Sequence, residues 1–136
     1  MISYLWRGAF SNAEVNALHA EGFGYEPLDI DWRAQLARYS LGWVCARDGG
    51  GRLAGFVNVA WDGATHAFVL DTVVSRRLRR QGVGTGLAAR AVQGARAAGC
   101  EWLHVDFEDH LRPFYFGSCG FTPTNAGLID LTGEAG

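Results

Sequence analysis

Two hydrophobic periods alternate along this chain, and the switches between them mark its elements. Residues 2–7 are a short apolar run that predicts a strand. Ser11 and Glu14 then have the spacing of a capping box, so a helix is expected to begin near Asn12. Val15, Leu18 and Gly22 give this helix one apolar side, and the aromatic loop 22–27 ends it. Asp29 and Asp31 are both suited to cap a second helix that carries Trp32, Leu36 and Tyr39 and stops before Gly42.

Residues 43–47 and 53–61 read as strands joined by Asp48-Gly49-Gly50-Gly51, where glycine supplies the positive φ angles of a tight hairpin. A second turn at 61–64 leads into a strand over 66–74, giving three antiparallel strands in succession. The longest helical pattern follows: Val83, Leu87, Ala91 and Ala95 recur every fourth residue, Arg90, Gln93 and Arg96 lie off that stripe, and Gly99 closes it. A strand over 102–107, a helix over 113–118 halted by Gly120 and a last strand over 127–131 complete the order β-α-α-β-β-β-α-β-α-β. The expected fold class is α+β, a mixed and mostly antiparallel sheet with helices on both faces.

Composition narrows the picture. A chain of 136 residues with 49% hydrophobic and 19% charged residues suits a single domain over 1–136 with one core. Its 12 basic and 14 acidic residues leave a net charge of −2, so no global nucleic-acid footprint is present. All 12 basic residues are Arg, so anions would be met by guanidinium forks. No apolar run is long enough to span a membrane and the first residues lack the features of a signal peptide, so a cytoplasmic location without membrane contact is expected. Cys45, Cys100 and Cys119 are odd in number and dispersed, which predicts free thiols and no zinc site.

The segment 70–87 carries the strongest chemical signal. A strand runs into Arg76, Arg77, Arg79 and Arg80, then into Gly82, Gly84 and Gly86 at the start of the longest helix. Unpaired N–H groups and the macrodipole at a helix start attract anions, and the arginines favour a ligand with several phosphates. A Walker loop is excluded because the chain has no Lys. The dinucleotide fingerprint fails because Leu87 stands where its last glycine belongs.

Arg79-Arg80-Gln81-Gly82-Val83-Gly84 resembles the Arg/Gln-x-x-Gly-x-Gly/Ala signature of the GNAT superfamily of acetyl-coenzyme A dependent N-acetyltransferases. The segment from Phe114 and Tyr115 to Gly120 and Phe121 is similar to that family's Phe-Tyr-x-x-x-Gly-Phe region with one residue more. The resemblance implies that acetyl-CoA is held by Val74, through its backbone, and by Arg79, Arg80, Gln81, Gly82, Val83, Gly84 and Thr85. It also implies that Tyr115 protonates the departing sulfur. Glu108 and Leu111 stand where many members have Asn and Ala, and Phe68 stands where some have a Glu base, so no base is carried over.

Acetyl transfer to an amine needs an unprotonated amine, a stabilised oxyanion and a proton for the thiolate. Asp71, His66, Asp106 and Glu108 are candidate bases, and Asp71, a polar break in an apolar strand, is the foremost; its other reading is a hydrogen-bonded bulge residue. Tyr115 is either the acid or one ring of an aromatic core cluster. His66, His104 and His110 read as surface or satisfied core residues. Phe23, Tyr25, Asp29, Asp31 and Trp32 are suited to a cationic amine, unless the two Asp are caps and the rings are core. The expected activity is acetyl transfer from acetyl-CoA to a primary amine of a small molecule or peptide by direct attack in a ternary complex. A noncatalytic acyl-CoA binding or interaction domain is the alternative. The acceptor and the oligomeric state, a homodimer included, are not fixed by the sequence.

Overall fold

A computed structural model describes residues 1–133. Met1–Val105 form one unit and the residues from Asp106 onward a second. The first unit runs β1 (Ser3–Trp6), α1 (Asn12–Phe23), α2 (Trp32–Tyr39), β2 (Ser40–Arg47), β3 (Leu53–Trp61), β4 (His66–Val74), α3 (Val83–Ala97) and β5 (Trp102–His104). The five strands lie in sequence order; β1 to β4 pair antiparallel, and β5 pairs parallel with β4.

The local signals act where the sequence puts them. Ser11 accepts from the Glu14 N–H while Glu14 accepts from the Ser11 N–H, closing both halves of the capping box of α1. Gly24, left-handed at φ +76°, ends that helix. Asp31 caps α2 through the Ala34 N–H, and Asp29 lies outside that cap. The two hairpins close on Asp48 and Asp62, whose carboxylates accept from backbone N–H groups of their own turns.

Alternation along the sheet sorts the helices to its two faces. Val15, Leu18, Trp32 and Leu36 of α1 and α2 pack with Cys45, Leu53, Phe56 and Val73. On the other face, Val83 and Leu87 of α3 press on Gly55, and the Trp6 ring fills the space beside Gly42 of β2 and Gly94 of α3. Val83, Leu87, Ala91 and Ala95, the predicted stripe, are all buried. Among the described residues no helix is long and apolar enough to cross a membrane.

Two expectations are corrected. The strand over 102–107 is shorter, ending at His104. The last strand over 127–131 is absent: Asp130 folds back to accept from the Thr132 N–H at 2.9 Å, and Leu128, Ile129 and Leu131 stay exposed. A side chain that satisfies the local backbone in this way competes with a strand ladder. The second unit instead holds a short turn at Asp109–Leu111 and a wide helical turn at Pro113–Ser118, where Tyr115 is buried among Phe107, Phe114 and Phe121.

Candidate functional site

Strand β4 is irregular where the chemistry was expected. Two residues of β4, Asp71 and Thr72, oppose Val57 alone, and Asp71 takes a left-handed φ of +58°. This is a β-bulge, which interrupts the ladder and re-aims a side chain. On its other side β4 pairs with β5 only over His66, Ala67 and Phe68, so the edge from Val69 to Val74 has no strand partner among the described residues. An extended polar chain can pair with such an edge.

Beyond Val74, Arg76–Leu78 make a single tight turn, Arg80 is left-handed at φ +64°, and Gly82, at φ +81°, is the N-cap of α3. The positive φ at Arg80 is a strained conformation for a residue with a Cβ. Ser11 and Asp31 cap α1 and α2, but no side chain caps α3 and no acidic residue lies in its first turn. Its first intrahelical bond is donated by Gly86 to the Gly82 carbonyl. The N–H groups of Val83, Gly84 and Thr85 therefore lack intrahelical acceptors. A Cβ at Gly82 would meet nothing within 4 Å, so the approach is open.

The arginines divide by role. Arg77 donates to Asp48 at 2.7 Å and ties this turn to the β2–β3 hairpin, so it does not join the expected anion cluster. Backbone N–H bonds from the hairpin and the Arg77 guanidinium hold the Asp48 carboxyl below its ordinary range. Arg79 and Arg80 are exposed and hold no ion pair among the described residues. Gln81 leans back on the Arg77 carbonyl at 3.5 Å, and the Val83 side chain is buried, leaving its backbone N–H as the group it can offer.

Asp71 lies at the centre of a polar chain that crosses the sheet. Its Oδ1 is 3.0 Å from His19 Nε2 and its Oδ2 accepts from Asn58 Nδ2 at 3.5 Å; Asn58 in turn accepts from the Ser40 hydroxyl. The other ring nitrogen of His19 meets the Tyr25 hydroxyl. Burial, followed by the nearby Asp71 charge, pushes the Tyr25 phenol up. Asp71 is thus the hydrogen-bonded bulge residue that the sequence allowed, and it shares a cluster with His19 and Tyr25.

The expected acceptor residues separate. Trp32 is buried and donates to Asn16, which makes it core; Asp31 is a cap that also accepts from Asn12. Tyr25 lines an open concavity of about 490 Å³ with Glu21, Glu26 and Arg76, so the carboxylates at this surface are Glu21 and Glu26 rather than Asp29 and Asp31. His19 was overlooked in the sequence. It falls four residues after Val15, on the buried face of α1, and a polar residue on an apolar helix face calls for a partner such as the polar break at Asp71. His66 and His104 hydrogen-bond to each other at 2.8 Å, and among the described residues no group of three potential ligands is placed to hold a metal. Asp106 and Glu108 belong to the second unit, as does Tyr115, whose ring stacks on Phe107 with centroids 4.5 Å apart.

Residues 5–121 match the family model described as acetyltransferase (GNAT) family. No individually curated protein matches the chain. Among solved structures, a GNAT family acetyltransferase from Streptococcus pneumoniae is 22% identical, with a TM-score of 0.74 over 96% of this chain and 99% of its own. Glucosamine-6-phosphate N-acetyltransferase from Arabidopsis thaliana is 14% identical, with a TM-score of 0.75 over 94% and 97%. AAC(6')-Iy, in complex with the bisubstrate analogue CoA-S-monomethyl-acetylneamine, is 16% identical, with a TM-score of 0.71 over 95% and 96%. At these identities the structural likeness speaks for the fold.

Proposed function

The chain belongs to the GNAT acetyltransferase family, whose members use acetyl-CoA, and on that premise we propose that it is an N-acetyltransferase acting on a primary amine of a small molecule or peptide by direct attack in a ternary complex. The observation that carries this reading is the start of α3, which has no side-chain cap, beside Arg79 and Arg80, which hold no ion pair among the described residues, directly after a bulged strand whose edge from Val69 to Val74 has no strand partner among them. Phosphates fit the N–H groups of Val83, Gly84 and Thr85 and the two guanidiniums. An amide-bearing arm fits the free edge of β4 that ends at Val74.

Acetyl-CoA supplies, when bound, an acetyl group on a thioester whose carbonyl carbon an amine attacks and whose sulfur departs. A backbone N–H on the free edge of β4 near Val74 would polarise that carbonyl, a strand-held donor that needs little reorganisation during the reaction. Tyr115 supplies the proton for the sulfur. Glu21 and Glu26 draw a cationic acceptor to the concavity, and Asp71 belongs to the hydrogen-bonded cluster that receives the proton the amine must lose. Residues 1–136 act together as one acetyltransferase domain, a reading supported by a family match that spans both units.

Two measurements test this. Saturating acetyl-CoA is expected to raise the melting temperature, because a ligand that binds only the folded chain stabilises it. A panel of amines, amino acids and peptides, assayed by thiol release, is expected to show turnover with cationic amines and less with neutral aromatic ones. No stabilisation by acetyl-CoA and no thiol release with any amine would overturn the reading.

A further inference from the structure

We propose that Asp71, His19 and Tyr25 form a proton relay whose outer end, the Tyr25 hydroxyl, takes the proton from the acceptor amine; this rests on the acetyltransferase reading above. His19 is held on both ring nitrogens, by Asp71 at Nε2 and by Tyr25 at Nδ1. A carboxylate only accepts hydrogen bonds, so Nε2 carries the proton and donates to Asp71. Nδ1 is left as an acceptor, which obliges the Tyr25 O–H to donate to it. The Tyr25 oxygen keeps acceptor capacity, and Tyr25 lines the concavity with Glu21, Glu26 and Arg76.

The surroundings hold this direction of donation. The His19 ring packs against the Phe23 and Trp32 rings, with centroids 4.4 and 5.0 Å away. The Asp71 carboxylate is fixed by the bulge and by Asn58. Burial and the Asp71 charge keep the phenol protonated in the resting protein, so it is a donor to His19 rather than a phenolate. His19 and Asp71 are 14% and 26% exposed at the side chain, which leaves Tyr25 as the member nearest the concavity.

The step balances without a further reactant. The amine nitrogen bonds to the acetyl carbon, and the carbon–sulfur bond breaks with its electron pair going to sulfur. The proton from nitrogen passes to Tyr25 Oη as the Tyr25 proton passes to His19 Nδ1, and the imidazolium is stabilised by Asp71. After product leaves, His19 returns its proton to Tyr25, and Tyr25 loses one to solvent. The second proton of the ammonium, shed to solvent once the carbon–nitrogen bond has formed, is balanced by the one the sulfur gains through Tyr115, which solvent then reprotonates. Tyr25 is the catalytic residue of the relay; His19 and Asp71 are positioning residues.

The first test needs no turnover. Nitrogen-15 NMR of the histidine rings in the full chain, with His19→Gln to assign the signal, is expected to show His19 protonated on Nε2 and bare on Nδ1. In Asp71→Asn the side-chain amide can donate to Nε2, so the proton is expected to move to Nδ1. A parent His19 protonated on Nδ1, or on both nitrogens, overturns the relay, as does a His19 ring that keeps the parent's protonation pattern in Asp71→Asn. The second test is Tyr25→Phe, which keeps the ring: kcat is expected to fall roughly 10²- to 10⁴-fold with the KM for acetyl-CoA unchanged. Active parent protein matched in kcat by Tyr25→Phe overturns the relay and leaves acetyl transfer standing. A parent that neither binds acetyl-CoA nor releases thiol overturns both.

Discussion

Arg47 of β2 grips both carboxylate oxygens of Glu14 at the start of α1, Nη1 at 2.6 Å from Oε2 and Nη2 at 3.2 Å from Oε1. The same carboxylate completes the capping box on Ser11, so one side chain both begins the helix and ties it to the sheet. The Arg47 hydrogen bond, aided by the Ser11 N–H and opposed by burial, holds the Glu14 carboxyl down at about 2, from an ordinary 4.5. Because the folded value is the lower one, the contribution is complete above the unfolded value and is lost as pH falls through 4.5 toward 2. Solvent screens this partly exposed pair, so the stability at stake is about 1 kcal/mol. Chemical denaturation of the parent and Glu14→Gln from about pH 7 to about pH 3 is expected to show the gap between them closing as pH falls; a gap that is constant would refute the linkage.

Gly94 of α3 is fixed by the Trp6 ring. A Cβ at Gly94 would lie 2.6 Å from three atoms of that ring, and the same ring also crowds Gly42 of β2, where a Cβ would come within 2.2 Å, so the ring has little room to shift. Alanine ordinarily improves a helix interior by about 1 kcal/mol over glycine. Here overpacking against a rigid ring outweighs that gain, and Gly94→Ala is expected to destabilise by roughly 1–3 kcal/mol. Gly49→Ala, at a position with nothing within 4 Å, is the control and should leave the melting temperature near the parent's. An unchanged or raised melting temperature in Gly94→Ala would show that α3 can lift from Trp6.

What the sequence disclosed was local. Ser11 with Glu14, the Asp-Gly hairpins and the four-residue stripe of α3 each act within a few residues, so their physics is complete in the sequence. The partnerships that build the site span long separations. His19 pairs with Asp71 over 52 residues, and Arg77 is drawn off to Asp48 over 29. Asp29 and Asp31 were equivalent as caps until the backbone placed only Asp31 three residues before an accessible N–H. The strand over 127–131 failed for a related reason: its apolar residues satisfied the pattern, while Asp130 took the nearer hydrogen bond to Thr132.

The anion turn can be tested by a substitution that separates folding from binding. Gly84→Glu puts a carboxylate among the N–H groups at the start of α3, where it suits the macrodipole and replaces a residue of poor helix propensity. The fold should be as stable as the parent's or more so, while the same charge repels a phosphate from the site. Calorimetry is expected to show acetyl-CoA affinity reduced by roughly tenfold or more, with Arg79→Glu and Arg80→Glu each weakening it as well. Parental affinity in all three variants would place the cofactor elsewhere.

Tyr115 has two claims on its ring, and the hydroxyl separates them. Tyr115→Phe keeps the ring that packs among Phe107, Phe114 and Phe121 and removes only the hydroxyl, so its melting temperature and acetyl-CoA affinity, measured beside its kcat, separate loss of a proton donor from loss of structure. If the phenol protonates the departing sulfur, kcat should fall by roughly 10² or more. A stricter comparison uses the leaving group. An acetyl donor with a more acidic thiol needs little protonation to depart, so the deficit of Tyr115→Phe should shrink with an acetyl aryl thioester. The deficit of Tyr25→Phe should persist, because the amine must still lose its proton. Equal turnover of Tyr115→Phe and the parent with acetyl-CoA, or a Tyr115→Phe deficit that ignores thiol acidity, would return Tyr115 to the aromatic core and leave protonation of the sulfur to another group.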